Sequence, residues 1–348
     1  MSNPHIWVYG MTIGIAIVFF TMVFFVGWAA SRVLFPAQFL SLPLYDRADW
    51  CSRINSTLHS FIVVPGFIVC MAATKWDNFW EVDDAQDSVT ATRIIMCISM
   101  GYFFVDFFVI VWYRVSLWVV FVVHHLVASL PFYIHLFDVN CRFATFVLQG
   151  MLLVELANIF MNAQYWLDKA GQIGTKKYTV VFYTNYLVWI PSRLGIPVFM
   201  MAVIYKYIYF DEARFLPHNH NCLIPGMICV HIITAFCFVV FFAVLTPDVV
   251  RRLRNPEKED EETKHLVMQR HASQLSRAAS MSRRPSTGAH EPVSGAGSTV
   301  VTPHNIDDVK ELVADTFREM REHDEGRTFT DGVTIPRQAS LHAGTAFH

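Results

Sequence analysis

Charge is what this sequence has least of. Only 16% of its 348 residues are Asp, Glu, Lys or Arg, against about a quarter in soluble globular proteins. The shortage is local. Residues 1–250 hold 13 Lys/Arg and 14 Asp/Glu, about 11%, while residues 251–348 hold 14 and 15, about 30%. A front part this poor in charge and this long excludes a single soluble core. Cysteine patterning is missing too. The seven Cys (51, 70, 97, 141, 222, 229, 237) form no CxxC pair, which argues against a zinc knuckle and a disulfide-dense fold. Residues 6–30 lack the basic start and short apolar core of a signal peptide, so a retained membrane helix is expected there. The net charge of −2 carries little information, and no nucleic-acid partner is expected.

What the chain does have is long apolar runs. About 20 mainly apolar residues cross the hydrocarbon core as a helix, and seven stretches qualify: 6–30, 55–74, 91–113, 116–137, 143–166, 178–208 and 223–247. Pro191 and Pro197 in the over-long sixth stretch predict a kink. The short, twice Pro-broken piece 33–45 reads as re-entrant or interfacial. Lys/Arg collects on the cytoplasmic side of membrane proteins. One set of alternate loops carries eleven: Arg32, Arg47, Arg53, Arg114, Lys169, Lys176, Lys177, Arg251, Arg252, Arg254 and Lys258. The other carries five: Lys75, Arg93, Arg142, Lys206 and Arg214. This bias predicts a non-cytoplasmic N-terminus and a cytoplasmic C-terminus. The acidic loop 77–87 then lies outside the cytoplasm, and the sequon Asn55-Ser56-Thr57 stays unmodified at the cytoplasmic face. Cys141 and Cys222 both fall in non-cytoplasmic loops, either as two free thiols or as a disulfide.

The tail 251–348 has too few large apolar residues to bury a core and reads as disordered. Residues 263–290 hold five Lys/Arg and no acid, a composition suited to anionic headgroups. Arg-x-x-Ser contexts make Ser273, Ser280, Ser286 and Ser340 phosphorylation candidates, and phosphate there would cancel the basic charge. Within the tail, 305–322 places Ile306, Val309, Leu312, Val313, Phe317 and Met320 on one helical face after Asn305. A helix docking on a protein partner or on the membrane surface is expected.

Polar residues in hydrocarbon are costly and mark function by default. Here they are Arg53, Ser56 and His59 in the second stretch, Asp106 in the third, and His124 and His125 in the fourth. The fifth carries Gln149, Glu155, Asn158 and Asn162, the sixth Asn185, Ser192 and Arg193, and the seventh His231. Glu155, Asn158 and Asn162 share one helix face. Asp106 and Glu155 need partners, and Arg53, His59, His124, His125, Arg193 and His231 are the candidates, which implies contact among stretches two to six. Such pairs tie helices together as readily as they catalyse. Adjacent His side chains diverge by about 100°, so one of His124 and His125 faces an interior pocket while the other meets a neighbouring helix. No metal site is expected.

Trp50-x-x-Arg53-x-x-Ser56-x-x-His59, Asp106 within a Phe-rich span, His124-His125 and the run ELANIFMN from Glu155 to Asn162 together resemble the TLC-domain family. Ceramide synthases and translocating-chain-associated membrane proteins belong to it. The likeness spans about residues 45–250 and is greatest to the TLC domain-containing protein 4 branch. It implies an all-α, TLC-type bundle of about seven transmembrane helices. Residues 1–44 supply the first helix and a connection, 45–250 the TLC domain of about six helices, and 251–348 the disordered cytoplasmic tail. The ceramide synthase pattern continues His-His with Leu-His-Asp-x-x-Asp about 26 residues on. This chain has Met151 and Leu152 at the His-Asp positions and only Glu155 at the second Asp.

Two functions follow from the resemblance. One is membrane lipid homeostasis or lipid handling in the endoplasmic reticulum or a neighbouring secretory membrane. Membrane lipids are then the partners, no cofactor is needed, and Arg53, Ser56, His59, Asn158, Asn162 and Arg193 line a lipid pocket. The other is acyl-CoA-dependent N-acyl transfer, with acyl-CoA as co-substrate, His124 or His125 as base and Asp106 or Glu155 orienting it. A seven-helix receptor matches the span count but not the motifs: no Asp/Glu-Arg-Tyr ends the third span and no Asn-Pro-x-x-Tyr lies in the seventh.

Overall fold

The computed structural model describes residues 6–76, 85–137, 145–210 and 220–254, without the side chains of 207–210 and 220–223. The expected features of the tail, namely Ser273, Ser280, Ser286, Ser340, the basic stretch 263–290 and the helix 305–322, lie outside the described residues. So do Cys141, the Cys222 side chain and most of the acidic loop.

Every element among the described residues is helical. In chain order they are α1 (Ile6–Leu34), α2 (Pro36–Leu40), α3 (Leu44–Ala73), α4 (Asp87–Tyr113), α5 (Trp118–Phe137), α6 (Thr145–Leu152), α7 (Leu156–Lys169), α8 (Lys176–Trp189), α9 (Ile196–Phe210), α10 (His220–Val240) and α11 (Thr246–Arg254). A 3-10 turn, Leu153–Glu155, joins α6 to α7, and π-helical turns join α8 to α9 (Ile190–Gly195) and α10 to α11 (Phe241–Leu245). Among the described residues this gives seven helical runs long and apolar enough to cross a membrane, the number expected. The kink expected from the prolines is the π-turn holding Pro191. Pro191 cannot donate a helical hydrogen bond, and a wider turn accommodates the loss.

The second run differs from expectation, because α3 starts eleven residues before position 55, at Leu44. The added segment carries Asp46, Arg47, Asp49 and Arg53, which hide it from a hydropathy reading, yet each charge is engaged. Lys169 Nζ donates to Asp46 Oδ2 at 2.8 Å, and Arg53 Nε donates to Asp49 Oδ1 at 3.1 Å. Arg47 donates to the Leu42 and Leu40 carbonyls at 2.9 and 2.8 Å, capping the short α2 that occupies the piece read as interfacial. Of the residues counted as loop charges, some, Arg47 among them, lie near helix ends, while Arg53 and Arg93 lie well inside α3 and α4. Removing both leaves ten against four, and the bias keeps its direction.

The bundle is apolar on its outside and carries a polar layer inside a largely apolar core. Met22, Val26, Phe61, Val69, Phe108 and Trp112 are exposed, while Asn55, His59, Ser99, Asp106, Gln149 and Glu155 are buried. α1 packs on α3 and α4 through Phe20, Phe24 and Trp28. At the α1–α4 crossing a Cβ on Gly101 would sit 2.5 Å from Ala16 Cβ and 3.0 Å from the Ile13 carbonyl oxygen. Only glycine permits this approach. Asn55 is fully buried and donates to the Phe20 carbonyl oxygen at 3.0 Å, so the sequon sits inside a helix contact.

Candidate functional site

α3 presents Ser52, Ser56 and His59 at helical spacing, Ser52 and His59 towards α4 and Ser56 towards α7. Nearest the Arg/Lys-rich end, Arg53 Nη1 donates to Asn162 Oδ1 at 3.2 Å, and its guanidinium lies 3.9 Å from the Tyr165 ring centre. Asn162 Nδ2 donates to Ser56 Oγ at 3.1 Å and Thr57 Oγ1 at 2.9 Å. This set ties α3 to α7.

Beside it, His125 Nε2 stands 2.9 Å from Asp106 Oδ2, and Ser52 Oγ donates to the other Asp106 oxygen. Asp106 therefore joins α3, α4 and α5. His125 has its remaining nitrogen, Nδ1, buried without a hydrogen-bond partner among the described residues. His124 turns the other way, its ring 5.8 Å from Phe236 of α10, as the divergence of neighbouring side chains requires.

The third set lies deepest. His59 Nε2 is 3.0 Å from Ser99 Oγ, and Nδ1 is 3.7 Å from Glu155 Oε2. The His59 ring stacks on Tyr102 at 4.1 Å with an 18° tilt. Asn158 Nδ2 donates to Glu155 Oε2, and Arg193 Nη2 donates to Asn158 Oδ1, each at 2.5 Å. Glu155 ends the 3-10 turn and Arg193 sits on the π-turn. Two buried charges thus occupy two breaks in helical geometry, where such breaks commonly serve function. Buried charges without partners are strongly unfavourable, and the Glu155–Asn158–Arg193 chain links the two, although Arg193 Nε has no hydrogen bond among the described residues.

The demand for partners read from the sequence is met for Asp106 and Glu155, and nine of the ten candidate residues fall within this layered network, His124 turning out of it towards α10. His231 stands apart, bonded to Tyr205 Oη and the Met227 carbonyl oxygen, both at 2.7 Å. Sequence reasoning missed Ser52, Ser99, Tyr102 and Thr92, the last accepting from buried Gln149. It also passed over His135, within the fourth span and 3.3 Å from Thr145 Oγ1. A hydroxyl in a helix can bond its own preceding turn, as Ser60 does to the Ser56 carbonyl oxygen, so sequence gives no sign of which hydroxyls cross to another helix. Among the described residues no three His, Cys, Asp or Glu side chains converge as metal ligands.

Two cavities adjoin the network. One, of about 40 Å³, lies between α4, α5, α6 and α10, with His124 and Glu155 among its lining residues. The other is a groove of about 1030 Å³ between α1, α3 and α7, bounded by Phe19, Val26, Ala30, Trp50, Ala163 and Trp166. Arg53, Ser56, His59, Asn158, Asn162 and Arg193 line neither. These side chains are paired with one another rather than arrayed around the open space.

The TLC domain family model matches residues 49–247. The chain belongs to the TLC-domain family. The matched region begins one residue before Trp50 and ends at Pro247, in the first turn of α11, so it takes in every layer of the polar network. α1, which closes one side of the groove, precedes the match. Comparison with curated proteins and with solved structures gave no match.

Proposed function

We propose that this TLC-domain membrane protein acts in membrane lipid homeostasis or lipid handling, seating a lipid in the groove between α1, α3 and α7. The polar network behind the groove holds those helices in register. The observation that carries the reading is the contrast between the two cavities. The space beside His124 and Glu155, about 40 Å³, has room for little more than ordered water. The groove, about 1030 Å³ and almost wholly apolar, has the capacity of a ligand site. The proposal extends to kinship with the TLC domain-containing protein 4 branch and to residence in the endoplasmic reticulum or a neighbouring secretory membrane. It places the Arg/Lys-rich end in the cytoplasm, with the tail there open to phosphorylation and to membrane contact.

A second reading, N-acyl transfer, draws on the Asp106–His125 pair at 2.9 Å, the arrangement in which a carboxylate orients an imidazole base. Against it, His125 lines neither cavity. The discriminating experiment uses the purified full chain in nanodiscs with long-chain acyl-CoAs and a panel of sphingoid bases and lysolipids. The lipid-handling reading expects no CoA release. CoA release that is lost in His125→Ala and His124→Ala would replace it with the acyltransferase.

A further inference from the structure

The lipid-handling reading leaves open what the groove holds, and its walls narrow the choice. It runs along α1 from Phe19 to Leu34, fifteen residues or about 22 Å at 1.5 Å per residue. That is about three-quarters of a hydrocarbon core about 30 Å thick, so the groove has room for a rigid ligand extended inward from one interface. Among the described residues no charged side chain lines it. Two cations of the neighbouring helices are engaged elsewhere, Arg47 with the carbonyls of α2 and Lys169 with Asp46. A phosphate headgroup would find no countercharge in the walls.

The polar groups that do line it sit at one end. Gln38 and Gln172 are half-buried, and their carboxamides have no partner among the described residues. Ser31 is already the acceptor for Trp50 Nε1 at 3.1 Å. Two free carboxamides offer donors and acceptors to a neutral hydroxyl.

The shape is equally specific. Gly27, Ala30 and Ser31 fall on one face of α1, while Ala163 of α7 and Ala170 just past its end line the other side, leaving a shelf of small side chains. Trp50 and Trp166 close its back, ring centres 6.4 Å apart and tilted by 53°. A shelf with aromatic walls gives a rigid flat body contact along its length at little loss of conformational entropy.

We infer that the groove is a sterol site: the fused rings lie on the small-residue shelf against Trp50 and Trp166, and the hydroxyl is held between Gln38 and Gln172. This assignment rests on the lipid-handling reading and names its ligand class.

The test uses the full chain in nanodiscs with a photoactivatable sterol, a photoactivatable diacylglycerol and a photoactivatable phosphatidylserine, with labelled peptides mapped. Saturable sterol labelling of α1 and α7 is expected, displaced by unlabelled sterol and not by its 3-methyl ether. Gln38→Leu combined with Gln172→Leu should weaken sterol binding about ten-fold or more, the loss of two modest hydrogen bonds. Ala30→Phe should abolish it. The competition with the methyl ether needs only the wild-type chain, so it stands even if a variant fails to fold. Labelling of the groove by diacylglycerol or phosphatidylserine but not by sterol would overturn the sterol assignment and keep the lipid-handling reading. Absence of groove labelling by all three probes would overturn both.

Discussion

Replacing Gly101 by Ala tests the packing that sets α1 against the rest of the bundle. The new Cβ would stand 2.5 Å from Ala16 Cβ, 3.0 Å from the Ile13 carbonyl oxygen and 3.1 Å from the Ile17 nitrogen. Carbon atoms settle at about 3.5–4.0 Å, so the helices must part by about 1 Å. Two of the three obstructing atoms are backbone and cannot rotate away. Overpacking of this kind costs about 1–3 kcal/mol, offset by up to about 1 kcal/mol from the better helix propensity of Ala. The expected net loss is about 1–2 kcal/mol. Gly66 is the internal control. Its added Cβ would also clash, at 2.8 Å, but only with the terminal methyl of Ile95, which can change rotamer. Gly66→Ala should therefore be near neutral or mildly stabilising. Ala16→Gly should recover only part of the Gly101→Ala loss, because the Ile13 and Ile17 contacts remain. Reversible unfolding in mixed micelles measures all four proteins. Gly101→Ala as stable as Gly66→Ala would refute the close α1–α4 approach.

Arg193→Met should destabilise the protein by about 3–5 kcal/mol, because Glu155 and Asn158 lose the buried cation they lead to. Adding Glu155→Gln should restore part of that loss, read as a non-additive double-mutant cycle. Ser52→Ala removes one of the two groups held by Asp106 and should cost about 1 kcal/mol in the same unfolding assay. Lys169→Met breaks the Asp46 pair at the half-exposed end of the bundle and should cost under about 1 kcal/mol, with the difference shrinking further in high salt. Endoglycosidase treatment should leave the mobility of the full chain unchanged, since Asn55 is buried in α3 against α1. A shift would mean that this segment lies outside the helix contact described.

The spans were legible because each is a long apolar run, and the layer of interior charge was legible because Asp106 and Glu155 cannot stand alone in hydrocarbon. Even the divergent roles of His124 and His125 follow from helical geometry. The start of α3 was not, since Asp46, Arg47, Asp49 and Arg53 look like a loop until Lys169, α2 and Asn162 are brought beside them in space. Arg93 was misplaced for the same reason: it is buried within α4 and was read as a loop charge. The groove was invisible for the opposite reason. Its wall residues, Gly27, Ala30 and Ala163 among them, are ordinary small residues of membrane helices, and a gap between helices distant in sequence leaves no periodicity behind. Irregular turns divide the same way. Pro191 announces the π-turn that holds Arg193, while Phe241–Leu245 contains no proline to mark the second one.

Whether the groove holds a lipid is answered most directly by native mass spectrometry of the full chain released from detergent, comparing wild type with Ala30→Phe and Ala163→Phe. Both substitutions fill the groove from opposite walls and touch none of the network's hydrogen bonds. The account predicts a retained lipid adduct on the wild type that both variants lose while keeping their melting temperatures. An adduct of equal occupancy on all three proteins, or none on a folded wild type purified from membranes, would contradict it.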